Sequence, residues 1–344
     1  MKTPAPTVRS LARALGLSHT TVSDALRGKG RVDPATAERV KKAAREAGYR
    51  RNPLAAAVMS ELRRSRGATF RGVLAAVDLL EPQRRDPHGA FHNELVQGGR
   101  ERATALGFKL EEFVVGVGGL TVARLDTIMQ SRGIHGVLLL PSWHAPDWSG
   151  LDWARYAGVY TDYVIEKPAL HCVCCNHYRS MTSLLTLLKS RGYKRPGLFM
   201  ERGRDERMQR RFSAAFRSFQ EGEPGIEAVP PLVSEMRQRD EFIVWFRKHK
   251  PDVVLGHFTE LIDWMEAAGA QVPAQHGFVS LNLLYKTRPC AGLDQQPREL
   301  GARGAELLIA QLQRNERGVP ECPTTTTIQA RWVEGPTVRK AAKA

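Results

Sequence analysis

Near the N-terminus, Ser18-His19-Thr20-Thr21-Val22-Ser23-Asp24 gathers four short hydroxyls, an imidazole and a carboxylate within about two helical turns. Short hydroxyls of this kind donate to phosphate oxygens. The surroundings carry the matching charge. Residues 1–70 hold 15 Lys/Arg against 5 Asp/Glu, so +10 of the formal +15 of the chain sits in its first fifth. Such a concentration attracts a polyanion, and neutralising phosphates releases their counterions. Charge alone equally describes a solvated basic surface, so the reading turns on whether the segment is also patterned.

Two other segments offer chemistry. Cys172-Val173-Cys174-Cys175, flanked by His171 and His177, has metal-binding residue types. On a strand, however, successive side chains point to opposite faces and would not converge on one ion. Free thiols are expected, and five cysteines, an odd count, argue against a disulfide framework. Gly116-Val117-Gly118-Gly119 suggests a dinucleotide loop, but Thr121 stands at the final glycine position and no acid follows at the required distance. No nucleophile elbow, zinc-protease helix or phosphate loop is present, which disfavours an enzyme, and no cofactor or metal is expected.

The basic segment is patterned. Thr7 can cap a helix over Val8–Leu15, with Leu11, Ala12 and Leu15 on one face and Gly16 at its end. Ser18 can cap a second helix from His19 to about Arg27, with Val22 and Leu26 inward. A three-residue joint forces a sharp angle between the two, as in a helix-turn-helix. Gly28-Lys29-Gly30-Arg31 is a basic loop, and Asp33-Pro34 starts a third helix striped by Ala37, Val40, Ala44 and Ala47.

Thr7-Val8-Arg9-Ser10-Leu11-Ala12, Gly16-Leu17-Ser18-His19-Thr20-Thr21-Val22-Ser23, Gly48-Tyr49 and Asn52-Pro53 resemble the LacI/GalR family of bacterial transcriptional regulators. The resemblance is specific across residues 7–60 and continues more weakly to about residue 334. It implies that the second helix enters the major groove, with His19, Thr20 and Asp24 at base-reading positions. Thr7, Ser18, Thr21, Ser23, Arg27 and Lys29 complete the implied DNA contacts. Asp24 can accept from a cytosine amino group or merely exclude guanine. Residues 52–70 correspond to a hinge helix and linker; the helix pairs with its dimer mate in the minor groove, where Asn52, Ala55, Val58 and Met59 face DNA and Val58 stands at the intercalating wedge. The bland alternative is a helix packed on its own domain.

From Arg71 onward, strands at Gly72–Leu79, Lys109–Val115, Gly136–Leu140, Gly158–Thr161, Gly197–Met200, Val253–Leu255 and Gly277–Leu281 alternate with helices. The helices are expected at Phe91–Gly107, Val122–Arg132, Met181–Arg191, Glu206–Phe219, Asp240–His249, Leu261–Gly269 and Leu300–Asn315. Alternation of this kind means an α/β fold with parallel sheets, and about 250 residues exceed one small sheet. The resemblance implies a two-lobed, periplasmic-binding-protein-like effector domain over 71–335, with chain crossovers near 175, 293 and 325. It places a small-molecule effector, sugar-related, against Phe91, Asp162, Arg211, His257, Phe258 and Asn282. Phe91 and Phe258 read equally well as core. Residues 1–51 form the DNA-binding head and 336–344 a tail.

No run of about 18 apolar residues spans a membrane, and Met1–Leu15 lacks a secretory core, so a cytoplasmic protein is expected. The expectation is a homodimeric repressor binding a double-stranded DNA operator and tuned by a metabolite. The alternative is an α/β enzyme with a DNA-targeting helical head.

Overall fold

A computed structural model describes residues 8–27, 32–47, 70–80, 89–116, 119–144, 147–163 and 167–340, with His19, Thr20, Ser23 and Arg27 described by their backbone. The readings on Thr7, Lys29, Asn52, Ala55, Val58 and Met59 lie outside these residues. The chain divides into two compact units, Met1–Arg64 and Ser65–Ala344.

In the first unit, α1 (Val8–Leu15) and α2 (His19–Arg27) flank Gly16, whose φ of +65° is the left-handed turn that ends α1. Ser18 caps α2: its Oγ accepts from the Thr21 amide at 3.0 Å. Asp33 caps α3 (Pro34–Glu46) by accepting from the Thr36 amide at 3.0 Å, and Pro34 fills the first turn. Leu11, Ala12, Val22, Ala25, Val40 and Ala44 are buried together, so the three helices share one small core. Ala25, rather than Leu26 alone, completes the inner face of α2.

The second unit contains two six-stranded sheets, with α-helices joining many of the successive strands. Its first part runs β1 (Gly72–Leu80), α4 (Ala90–Ala105), β2 (Phe108–Gly116), α5 (Val122–Ser131), β3 (Gly136–Leu139), β4 (Ala157–Tyr160) and β5 (His171–Cys175). The chain then enters the other lobe. There it forms α6 (His177–Ser190), β6 (Pro196–Glu201), α7 (Arg202–Arg207), α8 (Arg211–Gly222), β7 (Leu232–Ser234), α9 (Arg239–His249), β8 (Val253–Gly256), α10 (Glu260–Ala267), β9 (Gly277–Ser280) and β10 (Ala291–Asp294). It returns through α11 (Pro297–Arg314) and β11 (Thr325–Ile328), and β12 (Arg331–Val333) ends in the second sheet.

The first sheet has the order β11-β5-β4-β3-β1-β2, parallel throughout. The second has the order β12-β10-β9-β8-β6-β7, with β12 alone antiparallel. Every residue of β3, β4, β8 and β9 is buried, as expected where helices cover both faces of a parallel sheet. The chain passes between the lobes just after Cys175, Asp294 and Ile328.

Helices α4 and α11 approach backbone to backbone. A Cβ added to Gly98 would lie 1.8 Å from the Arg298 carbonyl oxygen, and one added to Gly301 would lie 1.8 Å from that of Leu95. Only glycine fits such a crossing.

Three expectations are corrected. The single helix expected over Glu206–Phe219 is two, because Gln209 and Arg210 take φ values of 54° and 55° and break it. The helix expected from Met181 begins at His177, where the Asn176 side chain accepts from the Arg179 amide at 3.0 Å. Residues 336–339, expected in a tail, pack on the second sheet. Thr337 is buried, donates its Oγ1 proton to the Phe278 carbonyl at 2.7 Å, and accepts from the Ala291 amide at 2.9 Å.

Candidate functional site

A cavity in the second unit is lined by segments that follow strands of both sheets. Phe91 opens α4 after β1, Trp143 follows β3, Asp162 follows β4 and His177 follows β5. From the other lobe come Arg204 and Arg207 after β6, His257 after β8, Asn282 and Tyr285 after β9, and Gln295 after β10. This is where open α/β sheets bind ligands, since strand ends and helix starts leave a crevice there.

Asp162 is buried and both of its carboxylate oxygens are engaged. Oδ1 accepts from the Tyr163 amide at 2.7 Å, and Oδ2 accepts from Arg207 Nη2. Arg207 also donates from Nε to the Ser142 carbonyl at 2.9 Å. Gln209 Nε2 donates to the Tyr163 carbonyl at 3.2 Å. Residues around α7 thus reach across the cleft and hold the opposite lobe.

Arg204 is buried beside them. Its guanidinium carbon lies 5.2 Å from the Trp143 ring centre, 5.3 Å from Phe258 and 5.2 Å from Tyr285. These are cation–π distances.

Two histidines line the cavity. Burial, with Arg207 and Arg211 nearby, pushes the His177 imidazole down to about 3. Burial, with Arg204 and His177 nearby, pushes His257 well below the ordinary histidine range. Both rings are neutral at pH 7 and offer one donor and one acceptor nitrogen each. Nδ1 of His177 is buried with no hydrogen-bond partner among the described residues. Asn282 spends its Oδ1 on the Leu284 amide at 3.1 Å, capping a one-turn helix.

Of the six effector residues expected from sequence, Phe91, Asp162, His257 and Asn282 meet in this cavity. Arg211 does not. It opens α8 beyond the backbone break, and its guanidinium lies 4.1 Å from the Tyr163 ring centre, beside a separate depression lined by Cys172 and Thr325. Arg207, four residues earlier, takes the place opposite Asp162. Phe258 does not line the cavity either; it packs under Arg204 and Arg237, the latter at 4.2 Å.

Sequence reasoning missed Trp143, His177, Arg204, Arg207 and Tyr285. The run Glu201-Arg202-Gly203-Arg204-Asp205-Glu206-Arg207 carries six charges directly after a buried strand, a signal that was available.

The five thiols are free. Cys172 Sγ lies 3.0 Å from Thr325 Oγ1 on the neighbouring strand, while Cys174 and Cys175 are buried against the cavity. Hydrogen bonding from Cys174 holds the Cys172 thiol down to about 7.

In the first unit, α2 carries His19, Thr20, Thr21, Ser23, Asp24 and Arg27. Ser18 and Thr21 link their hydroxyls at 2.8 Å, so the cap also orients Thr21. Asp24 is partly exposed on this helix.

Residues 7–52 match the family model of bacterial regulatory proteins, lacI family. The maltose regulon regulatory protein MalI of Escherichia coli is 33% identical over 133 residues, a match spanning 39% of this chain and about a third (35%) of that protein. The HTH-type transcriptional regulator GntR of Pseudomonas aeruginosa is 27% identical over 332 residues, covering 89% of each chain. Among solved structures, a complex of the transcriptional regulator CelR with cellobiose superposes with a TM-score of 0.55 at 20% identity, covering 96% of this chain and 99% of that one.

Proposed function

Because the chain belongs to the LacI/GalR family of bacterial transcriptional regulators, we propose that it is an operator-binding repressor tuned by a sugar-related metabolite held in the interlobe cleft. It acts in the cytoplasm as a homodimer, so the operator is pseudo-palindromic and each head reads one half-site. His19, Thr20 and Asp24 on α2 face base edges. Ser18, Thr21, Ser23, Arg27 and Lys29, with Thr7, hold phosphates. Asn52, Ala55, Val58 and Met59 belong to a hinge over 52–70 that enters the minor groove with Val58 as wedge.

Supporting this reading is one combination in one chain: a doubly capped three-helix head and an interlobe crevice whose two walls are bridged by side chains. A metabolite that displaces or completes this bridge biases the relation of the lobes. It regulates DNA binding in proportion to its differential affinity for the competent and incompetent states. Among the described residues no helix is long and apolar enough to cross a membrane. The relatives named for the maltose regulon and bound to cellobiose point to sugars as the first effectors to try.

A gel shift of the full-length protein on the DNA upstream of its own gene, over a salt series and with added sugars, tests the proposal. The expected result is a specific shift that weakens steeply with salt and responds to an effector. Absence of a specific shift at any salt refutes it.

A further inference from the structure

From the charges lining the cleft, we infer that its effector is an acidic sugar whose carboxylate or phosphate sits on Arg204; this rests on the reading of the cleft as the effector site. Among the described lining residues, two guanidiniums, Arg204 and Arg207, face one carboxylate, Asp162. That carboxylate is already committed to Arg207. The two buried imidazoles are neutral and add no charge of either sign. The cavity therefore presents one cation whose only ion pair, to Glu201 outside the lining, is shared with Arg237.

Arg204 is that cation. Its side chain is nine-tenths buried, and its Nε is a buried donor with no hydrogen-bond acceptor among the described residues. The nearest acid, Glu201, stands 3.6 Å away and is shared with Arg237, which it meets at 3.4 Å. Arg237 in turn reaches Glu260 at 3.1 Å, toward solvent. Asp205, on the same short helix, accepts the Ser213 hydroxyl at Oδ2 at 2.7 Å, its Oδ1 is buried with no hydrogen-bond partner among the described residues, and it does not line the cavity.

The three rings around Arg204 hold the guanidinium in place and exclude water from its faces. A planar guanidinium covered on its faces recognises a ligand along its edge, where paired N–H groups match the two oxygens of a carboxylate or phosphate. Leaving a buried charge half-paired is costly, so an anion that completes it gains more than a neutral hydroxyl does. The free Nδ1 of His177 and the side chain of Gln295, whose Nε2 also donates to the Leu281 carbonyl at 2.9 Å, add polar groups for the sugar hydroxyls.

Isothermal titration of the full-length protein with glucose, glucuronate and glucose 6-phosphate tests this, since the three differ chiefly at one carbon. Binding of at least one acid at least tenfold more tightly than glucose is expected, and the arm that wins identifies carboxylate or phosphate. Arg204→Gln should remove the preference, and Arg204→Lys, which keeps the charge but not the fork, should retain a reduced one. Circular dichroism confirms that both variants are folded. If glucose binds as well as the acids, or if folded Arg204→Gln keeps the preference, the inference fails while the effector reading stands. If neither acid nor neutral sugars bind, the inference and the effector reading fail together, and operator binding is judged by the gel shift alone.

Discussion

Substituting Gly301 by alanine should destabilise the effector-domain fold while leaving its sequence chemistry almost unchanged. The added methyl falls 1.8 Å from the Leu95 carbonyl oxygen and 2.9 Å from the Gly99 amide nitrogen. An ordinary contact needs about 1.5 Å more, and the obstacle is backbone, which cannot rotate aside. Helices α4 and α11 must separate, opening the packing of Leu308 and Leu312 around Gly136 on β3. Overpacking a core by one carbon costs about 1–3 kcal/mol, and rigid backbone puts this site at about 3. Alanine returns about 1 kcal/mol through its helix propensity. A net loss of about 2 kcal/mol lowers the melting temperature by about 4–8 °C in a domain of this size. Gly222→Ala is the matched control: it also sits in a helix, and nothing lies within 4 Å of its added Cβ. Thermal melts followed by circular dichroism compare the two. If Gly301→Ala melts within about 1 °C of both the parent and Gly222→Ala, the tight-crossing argument is wrong.

Removing the α3 cap with Asp33→Ala should cost the head about 1 kcal/mol, read as roughly fivefold faster amide exchange at Val40 and Ala44; unchanged exchange would contradict the cap's role. Asp162→Asn leaves Arg207 facing a neutral amide in a largely buried pair, so a loss of about 3 kcal/mol and a lower melting temperature are expected, and an unshifted melt would show that the bridge does not hold the lobes. Acid should destabilise the second unit through His177 and His257. The unfolded chain protonates both below about pH 6.5, while burial keeps the folded imidazoles neutral, down to about 3 for His177. The histidine contribution is complete above pH 6.5. It falls as pH drops toward 3, at up to about 1.4 kcal/mol per pH unit for each ring. Denaturant melts of His177→Phe should show a shallower pH dependence in that window; an identical slope would exclude His177 from it. For the head, operator selection with Asp24→Ala should relax the preference at one base pair if Asp24 accepts from cytosine, and an unchanged preferred operator would rule that out.

The head and many of the buried strands were legible for different reasons. Caps are local chemistry, so Ser18 and Asp33 announce the starts of α2 and α3 from within four residues. Buried parallel strands are short apolar runs between glycines, and Gly136–Leu139 or Val253–Gly256 can hardly be read otherwise. Strands paired late in the chain were not visible in this way. Thr325–Ile328 is largely exposed and polar, and becomes a strand by pairing with His171–Cys175 some 150 residues earlier. The site suffered from the same locality. Positive φ at Gln209 and Arg210 is unannounced by any glycine, so a continuous helix was expected, and the resemblance pointed to Arg211 where the fold brings Arg207. Asn282 was found, but its carbonyl oxygen is occupied by a local turn that spacing does not reveal.

The three passages between sheets have a consequence for how the protein is made. Neither lobe is a continuous stretch of chain: β11 borders the first sheet and β12 the second, and both follow residue 324. During synthesis the three-helix head, whose core lies within residues 11–44, can fold as soon as it leaves the ribosome. The first sheet cannot gain its last strand until nearly all of the chain has emerged, because closing such distant pairs is entropically slow. A nascent chain therefore acquires its DNA-reading surface well before it can sense a metabolite.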